Sequence, residues 1–165
     1  MRKIMTIALA AMALVSAAAN AATATTTFAV TATVLKTCSA SANALAFGSY
    51  TPGSGAVAGS TTVSIKCTNG TAYIVALNGG STASGTITQR LMANGTNTLQ
   101  YNLYTTSSYG TIWGDGTSGS TQAGTGAGVA TANTLTVYGQ LPDSVTNQSA
   151  VTGGYTDTVT VTVTY

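Results

Sequence analysis

The sequence predicts an all-β sandwich, and three observations carry that expectation. Threonine and other β-branched residues are abundant, apolar residues recur at every second position, and clusters of glycine, serine and asparagine separate those runs. No stretch carries the periodicity of an amphipathic helix.

The chain has 165 residues, enough for one domain of ordinary size. Its first stretch, "MRKIMTIALAAMALVSAAANA", has two cations (Arg2, Lys3), an apolar run from Ile4 to Val15, and then small residues. Ala19-Asn20-Ala21 fits an A-x-A cleavage site, so residues 1–21 read as a secretory signal peptide and Ala22 as the mature N-terminus. Cleavage after Ala19 is the alternative. The run is too short and wrongly flanked for a membrane span.

Without Arg2 and Lys3 the mature chain balances Lys36, Lys66 and Arg90 against Asp115, Asp143 and Asp157, for a net charge of zero. That gives no electrostatic reason to expect nucleic acid or an anionic membrane as partner. Low net charge favours self-association. Cys38 and Cys67 are the two cysteines, and in a secreted chain such a pair reads as one disulfide.

The strands follow in order. "TFAVTATVLK" puts Phe28, Val30, Ala32 and Val34 on one face, and "ALAFGSYTPGSG" is a short strand ending in a Pro/Gly turn. "TTVSIKC" aligns Val63, Ile65 and Cys67; after the Asn69-Gly70 turn, "TAYIVALNGG" aligns Tyr73, Val75 and Leu77. "TITQRLMANG" contributes Ile87 and Leu91 and ends on Asn94-Gly95, and "TLQYNLYT" alternates Leu99, Tyr101 and Leu103. Residues 107–131 read as a long Gly/Ser/Thr loop with a short strand at 111–113. "NTLTVYGQLP" then aligns Leu135, Val137 and Gly139, a loop covers 143–154, and "GGYTDTVTVTVTY" alternates Tyr155, Val159, Val161, Val163 and Tyr165 with threonine.

Chemistry-bearing constellations are sparse. The sequence has no histidine and no glutamate, and its three aspartates lie far apart, so no acid–base pair, triad or metal set is expected, and neither enzyme activity nor a cofactor. Asp115 in "WGDG" is a lone carboxylate in a Gly-rich turn, short of the several oxygens a calcium loop needs. Asn69, Asn94 and Asn147 match the glycosylation sequon, and the first two are better read as hairpin turns. Tyr104, Tyr109 and Trp113 either stack on sugar or, the favoured reading, pack beneath the loop.

The two ends carry the sharper expectation. The terminal run makes an edge strand, and only Asp157 guards it with a charge. Val159, Val161, Val163 and Tyr165 are its candidate acceptor positions. The run from Phe28 to Val34 is either the domain's own first strand or a donor that completes a neighbour's sheet by β-augmentation. One end donating and the other accepting gives a head-to-tail contact that does not close, and hence a fibre.

"LAFGSYTPG", "VSIKCTNGTAYIVALNGG", "RLMANGTNTLQYNLYT", "IWGDGT", "LTVYGQLP" and "GGYTDTVTVTVTY" stand in an order that resembles the spore coat protein U domain, including the Csu-type, or archaic, chaperone–usher pilins. The resemblance spans nearly the whole mature chain. It departs at Gln140, where relatives often carry a basic residue, and in the Gly-rich 107–131 loop. It implies an incomplete immunoglobulin-like sandwich lacking its last strand, with 22–36 as an N-terminal donor-strand extension and 37–165 as the pilin domain. The implied partners are a periplasmic chaperone, an outer-membrane usher and neighbouring pilin subunits. The implied destination is a pilus on the surface of a Gram-negative cell, serving adhesion and biofilm formation. The resemblance also implies the Cys38–Cys67 pairing, and Phe28, Val30, Ala32 and Val34 as donor positions. One domain points to a shaft or minor subunit rather than a tip adhesin. The alternatives are a secreted coat or matrix protein of the same family and a carbohydrate-binding module using Tyr109 and Trp113.

Overall fold

The computed structural model describes residues 21–165. The signal-peptide reading of residues 1–21 therefore lies outside the described residues, Ala21 excepted. The chain divides after Thr33. In the first unit, residues 21–33 form no strand or helix and are exposed throughout, Phe28 at 86% and Val30 at 83%. The run expected to be a strand has no ladder bonds here. Alternation decides which faces side chains take, but a strand also requires a neighbour to hydrogen-bond.

The second unit is an all-β, immunoglobulin-like sandwich of two antiparallel sheets. Its strands are β1 (Cys38–Ala42), β2 (Val57–Cys67), β3 (Ala72–Leu77), β4 (Arg90–Asn94), β5 (Asn97–Tyr104), β6 (Gln122–Thr125), β7 (Asn133–Leu141) and β8 (Val161–Thr164). The larger sheet has five strands in the order β1-β2-β7-β5-β4, and the smaller three in the order β6-β3-β8. A single helical turn, α1 (Val145–Gln148), capped by the Ser144 side chain, interrupts the loop after β7.

The expected alternation fills the core. Val63, Ile65 and Cys67 of β2, Tyr73, Val75 and Leu77 of β3, Leu103 of β5 and Val137 of β7 are all buried and packed together. The turns at Asn69-Gly70 and Asn94-Gly95 form as expected, with both glycines at positive φ, 76° and 60°. Cys38 and Cys67 are disulfide-bonded and face each other in the β1–β2 register.

Several elements differ from the sequence reading. The first strand is the small-residue stretch CSASA, positioned by pairing and the disulfide rather than by an apolar pattern. The stretch "ALAF" is not a strand. It crosses the inner face where Gly59 and Gly139 lie opposite each other in β2 and β7. A β-carbon on Gly139 would stand 2.8 Å from Leu45 Cδ1 and 3.0 Å from Phe47 Cζ, so the bare glycine surface is what admits these side chains. In the 107–131 loop, Ile112 and Trp113 make only isolated bridges, to Tyr104 and Ser120, while β6 forms further on.

In β4 the inward positions are Arg90 and Met92, not Leu91. Arg90 is fully buried, and four elements feed its donors. Nε donates to the Asn78 carbonyl (2.9 Å), Nη1 to Asn102 Oδ1 (2.6 Å) and the Ile87 carbonyl (3.2 Å), and Nη2 to the Trp113 carbonyl (2.8 Å). Burial lowers its pKa, with Tyr101 and Asp157 opposing, and the ring of acceptors keeps the cation tolerable.

Candidate functional site

The sandwich is open along one side, between β1 and the crossing stretch on one flank and the chain running into β8 on the other. A cleft of about 370 Å³ lies there, floored by Val63, Leu77, Tyr101, Leu103 and Val137 and walled by Leu45, Phe47, Val159 and Val161. A second cleft of about 600 Å³ continues it toward Leu99, Leu141 and Val151. The two share Leu45, Phe47, Met92 and Tyr155, so they form one trough beside the terminal run, mainly apolar in the first part and joined by Ser49, Tyr50 and Thr152 in the second.

The expected acceptor positions fall as follows. Val159, Val161 and Val163 point inward, half-buried and packed against the core. Tyr165 lies beyond the end of β8 and is 54% exposed. β8 itself is short because only Val161–Thr164 pair with β3, with Leu77 opposite Val161 and Ile74 opposite Thr164.

Before β8 the chain is held by a different device. Thr156 exchanges two backbone bonds with Ala93 (2.8 and 3.0 Å). Thr158 N donates to Ser81 Oγ (3.2 Å), and Thr160 N donates to Asn78 Oδ1 (2.8 Å) while its carbonyl accepts from Asn78 N (3.2 Å). All of these use even-numbered residues. In an extended chain successive backbone groups point to opposite sides, so the N–H and C=O of Asp157, Val159, Val161 and Val163 face away from that side, and the first three of these residues line the cleft. β8 is the edge of its sheet and β1 the edge of the other.

Asp157, read from the sequence as an edge guard, is turned the other way. Its Oδ1 accepts from Ser81 N (2.9 Å), Ser81 Oγ (3.1 Å), Thr82 N (3.1 Å) and Thr82 Oγ1 (3.2 Å), and Oδ2 accepts from the Tyr101 hydroxyl at 2.6 Å. Desolvation pushes its pKa up, but the Tyr101 bond and the amides outweigh it and hold the carboxyl below the usual range. The Tyr101 hydroxyl is driven upward by burial and by that bond. Gly80, at φ 91°, has no room for a side chain, because a β-carbon there would collide with the carboxylate. The Tyr101 ring in turn packs edge-on against Phe47, centroids 5.9 Å apart, at the floor of the trough.

The remaining motifs resolve into structure. Asp115 Oδ1 accepts from Thr117 N (2.9 Å) and Ser118 N (2.7 Å), which closes its turn. Among the described residues no group of three or more His, Cys, Asp or Glu stands close enough to hold a metal. Asn147 is fully buried, accepting from Gln100 N (2.8 Å) and donating to the Gln100 and Pro142 carbonyls, so its side chain is unavailable to a glycan. Trp113 is also fully buried, its Nε1 donating to the Val75 carbonyl at 3.0 Å. That overturns its place in a sugar-stacking surface; Tyr109 packs edge-on against Tyr104 instead. No helix of the described residues is long and apolar enough to cross a membrane.

The alternating pattern gives the edge and the floor of the trough but not the wall at Leu45 and Phe47. Leu45 and Phe47 line the trough because the crossing stretch passes over the glycine pair, and Met92 reaches it from β4. The one signal for this was a glycine at an inward position of an otherwise apolar strand, Gly139.

No curated protein matches the chain. Among solved structures it is similar to a chain of the CsuC–CsuE chaperone–tip adhesion subunit pre-assembly complex from archaic chaperone-usher Csu pili of Acinetobacter baumannii. The two are 28% identical with a TM-score of 0.53, over 81% of this chain and 40% of that one, so this chain spans well under half the length of its neighbour. The family profile of the Spore Coat Protein U domain matches residues 24–162. The chain belongs to the spore coat protein U domain family.

Proposed function

We propose that this protein is a structural subunit of a secreted surface fibre and polymerises by donor-strand complementation. The observation that carries this reading is the trough beside Tyr155–Val161: apolar along its floor, with backbone groups facing out along its edge. Membership of the family and likeness to a chain from a chaperone-usher pilus complex support it.

In this reading residues 22–36 leave their own molecule and lie in the trough of the next. Phe28, Val30, Ala32 and Val34 recur every second residue, roughly 7 Å apart, which matches the repeat of an edge strand. Each large apolar side chain buried contributes about 1.5–3 kcal/mol before ordering costs. Ala32 takes the narrow position. Before assembly a periplasmic chaperone occupies the trough, and an outer-membrane usher exchanges it for the donor of the incoming subunit. The fibre then stands on the surface of a Gram-negative cell and serves adhesion and biofilm formation.

The test is the double substitution Val30→Asp with Val34→Asp, expressed with the native assembly machinery. Fibre yield falls to background if the run is the donor, and unchanged yield rejects the assignment. A coat or matrix protein of the same family is the second reading, favoured by the family's own description. The gene neighbourhood tests it, since chaperone and usher genes beside this one would argue against it.

A further inference from the structure

We infer that Asn78, Ser81 and Asp157 are positioning residues that stand in for a neighbouring strand and hold the acceptor edge open and straight before its partner arrives. The inference rests on the acceptor reading above. It starts from a mismatch in length. The alternating terminal run begins at Tyr155, yet ladder pairing with β3 covers only Val161–Thr164. Between the Thr156–Ala93 bridge and Val161 the only backbone–backbone bond is Asn78 N to the Thr160 carbonyl, and a stretch so sparsely bonded ahead of a short edge strand would ordinarily fray.

Here the inner side of that stretch is occupied by side-chain acceptors instead. Asn78 Oδ1 takes Thr160 N (2.8 Å) and also Gly80 N (3.1 Å), so it fixes the edge and its own loop together. Ser81 Oγ takes Thr158 N (3.2 Å) and donates to Asp157 (3.1 Å). Asp157 grips both backbone amides of the same loop and the Tyr101 hydroxyl. The loop at 78–82 thus copies the hydrogen-bond spacing of a strand with two side chains, Asn78 and Ser81, while Asp157 ties the run to the loop from the other direction. The bonds lie on the even-numbered side, which leaves the odd-numbered backbone groups to the incoming strand. An edge already straight needs no ordering when it is filled, so the device speeds capture. Once a partner strand is in place its own ladder restrains the edge, and the side chains matter less.

The experiment uses the full mature chain and a labelled peptide of residues 22–36 as probe. Variants are Asp157→Asn, Asn78→Ala and Ser81→Ala, the last being the mildest for the fold. Amide hydrogen exchange at residues 156–160 is read without and with peptide, alongside the rate of peptide capture. We expect each variant to raise exchange at the Thr156, Thr158 and Thr160 amides in the free chain, which are the ones bonded on the inner side. We expect Asp157→Asn to slow capture about tenfold, the worth of one hydrogen bond to a charged group, while release is nearly unchanged. Variants that exchange as slowly as wild type when free, or whose loss is as large with peptide bound, overturn the inference. If wild type captures no peptide the acceptor reading fails, but exchange in the free chain still decides whether these side chains hold the edge.

Discussion

β2 and the terminal run carry the same pattern and meet different fates. Val63, Ile65 and Cys67 alternate along β2 as Val159, Val161 and Val163 do along the terminal run, and both sets point into the sandwich. The first set is sealed at 1% exposure, while the second stays half-buried. β2 has a strand on each side, β1 and β7; β8 has β3 on one side only. Alternation therefore fixes which residues face inward, and the number of neighbours fixes how completely they are covered. The half-covered set is the one that a strand from outside would complete.

The sealed region gives the largest expected effect. Trp113→Ala removes a fully buried indole and the donor to the Val75 carbonyl, and should cost about 3–5 kcal/mol in denaturant unfolding. A loss below about 1 kcal/mol would mean that this end is not the tight one. Next comes the disulfide, which closes a 29-residue separation between the edge strand β1 and β2. Cys38→Ser with Cys67→Ser should cost about 2–5 kcal/mol, read from the unfolding midpoint of purified protein.

The open region should answer weakly in isolation and strongly when filled. Val161→Ala removes two half-buried carbons, so the free chain should lose only about 1 kcal/mol. The same substitution should weaken peptide capture by a larger factor, because the bound state buries what the free state leaves half-covered. Equal losses in the two states would erase the distinction between the regions.

The smallest effect is pH dependence, and both regions share it. Hydrogen bonds from the Ser118 and Thr117 amides lower Asp115, and those from Tyr50, Gly53 and Gly55 lower Asp143. Asp157 is also lowered on balance, despite desolvation. A folded pKa below the unfolded one stabilises above the ordinary carboxylate value, and that stability is lost as pH falls through it. Tyr101 is raised by burial, so its contribution is present at neutral pH and lost as pH rises past the ordinary phenol value. With no histidine in the sequence, the unfolding midpoint should be flat from about pH 5 to about pH 9 and fall on either side. A midpoint that drifts across that plateau would mean that a further group titrates between the carboxylates and the tyrosines.

Much of the fold was legible because alternation is a local signal. The inward sets of β2, β3, β5 and β7 could each be read from a few residues, and so could the two Asn-Gly turns. What escaped depends on partners distant in sequence. CSASA has no apolar stripe and becomes a strand only because Cys38 is bonded to Cys67 and paired along β2. Arg90 lies inside, where a charge is unexpected, because carbonyls from Asn78, Ile87 and Trp113 converge on it. Asn147 matched a sequon, yet it is spent on the backbone of Gln100 and Pro142. At the candidate site the edge valines were visible in the pattern. The wall at Leu45 and Phe47 was not, since it requires knowing that residues 44–47 cross over a pair of glycines.

The central claim is that the sandwich is one strand short along the Asp157–Val163 edge and accepts that strand from outside. Residue-resolved amide exchange on the full mature chain, with and without excess peptide 22–36, tests it most directly. The account predicts that the amides of Asp157, Val159, Val161 and Val163 exchange fast in the free chain and become protected with the peptide, but not with a peptide carrying Val30→Asp and Val34→Asp. Slow exchange at those four amides in the free chain, unchanged by either peptide, would contradict it.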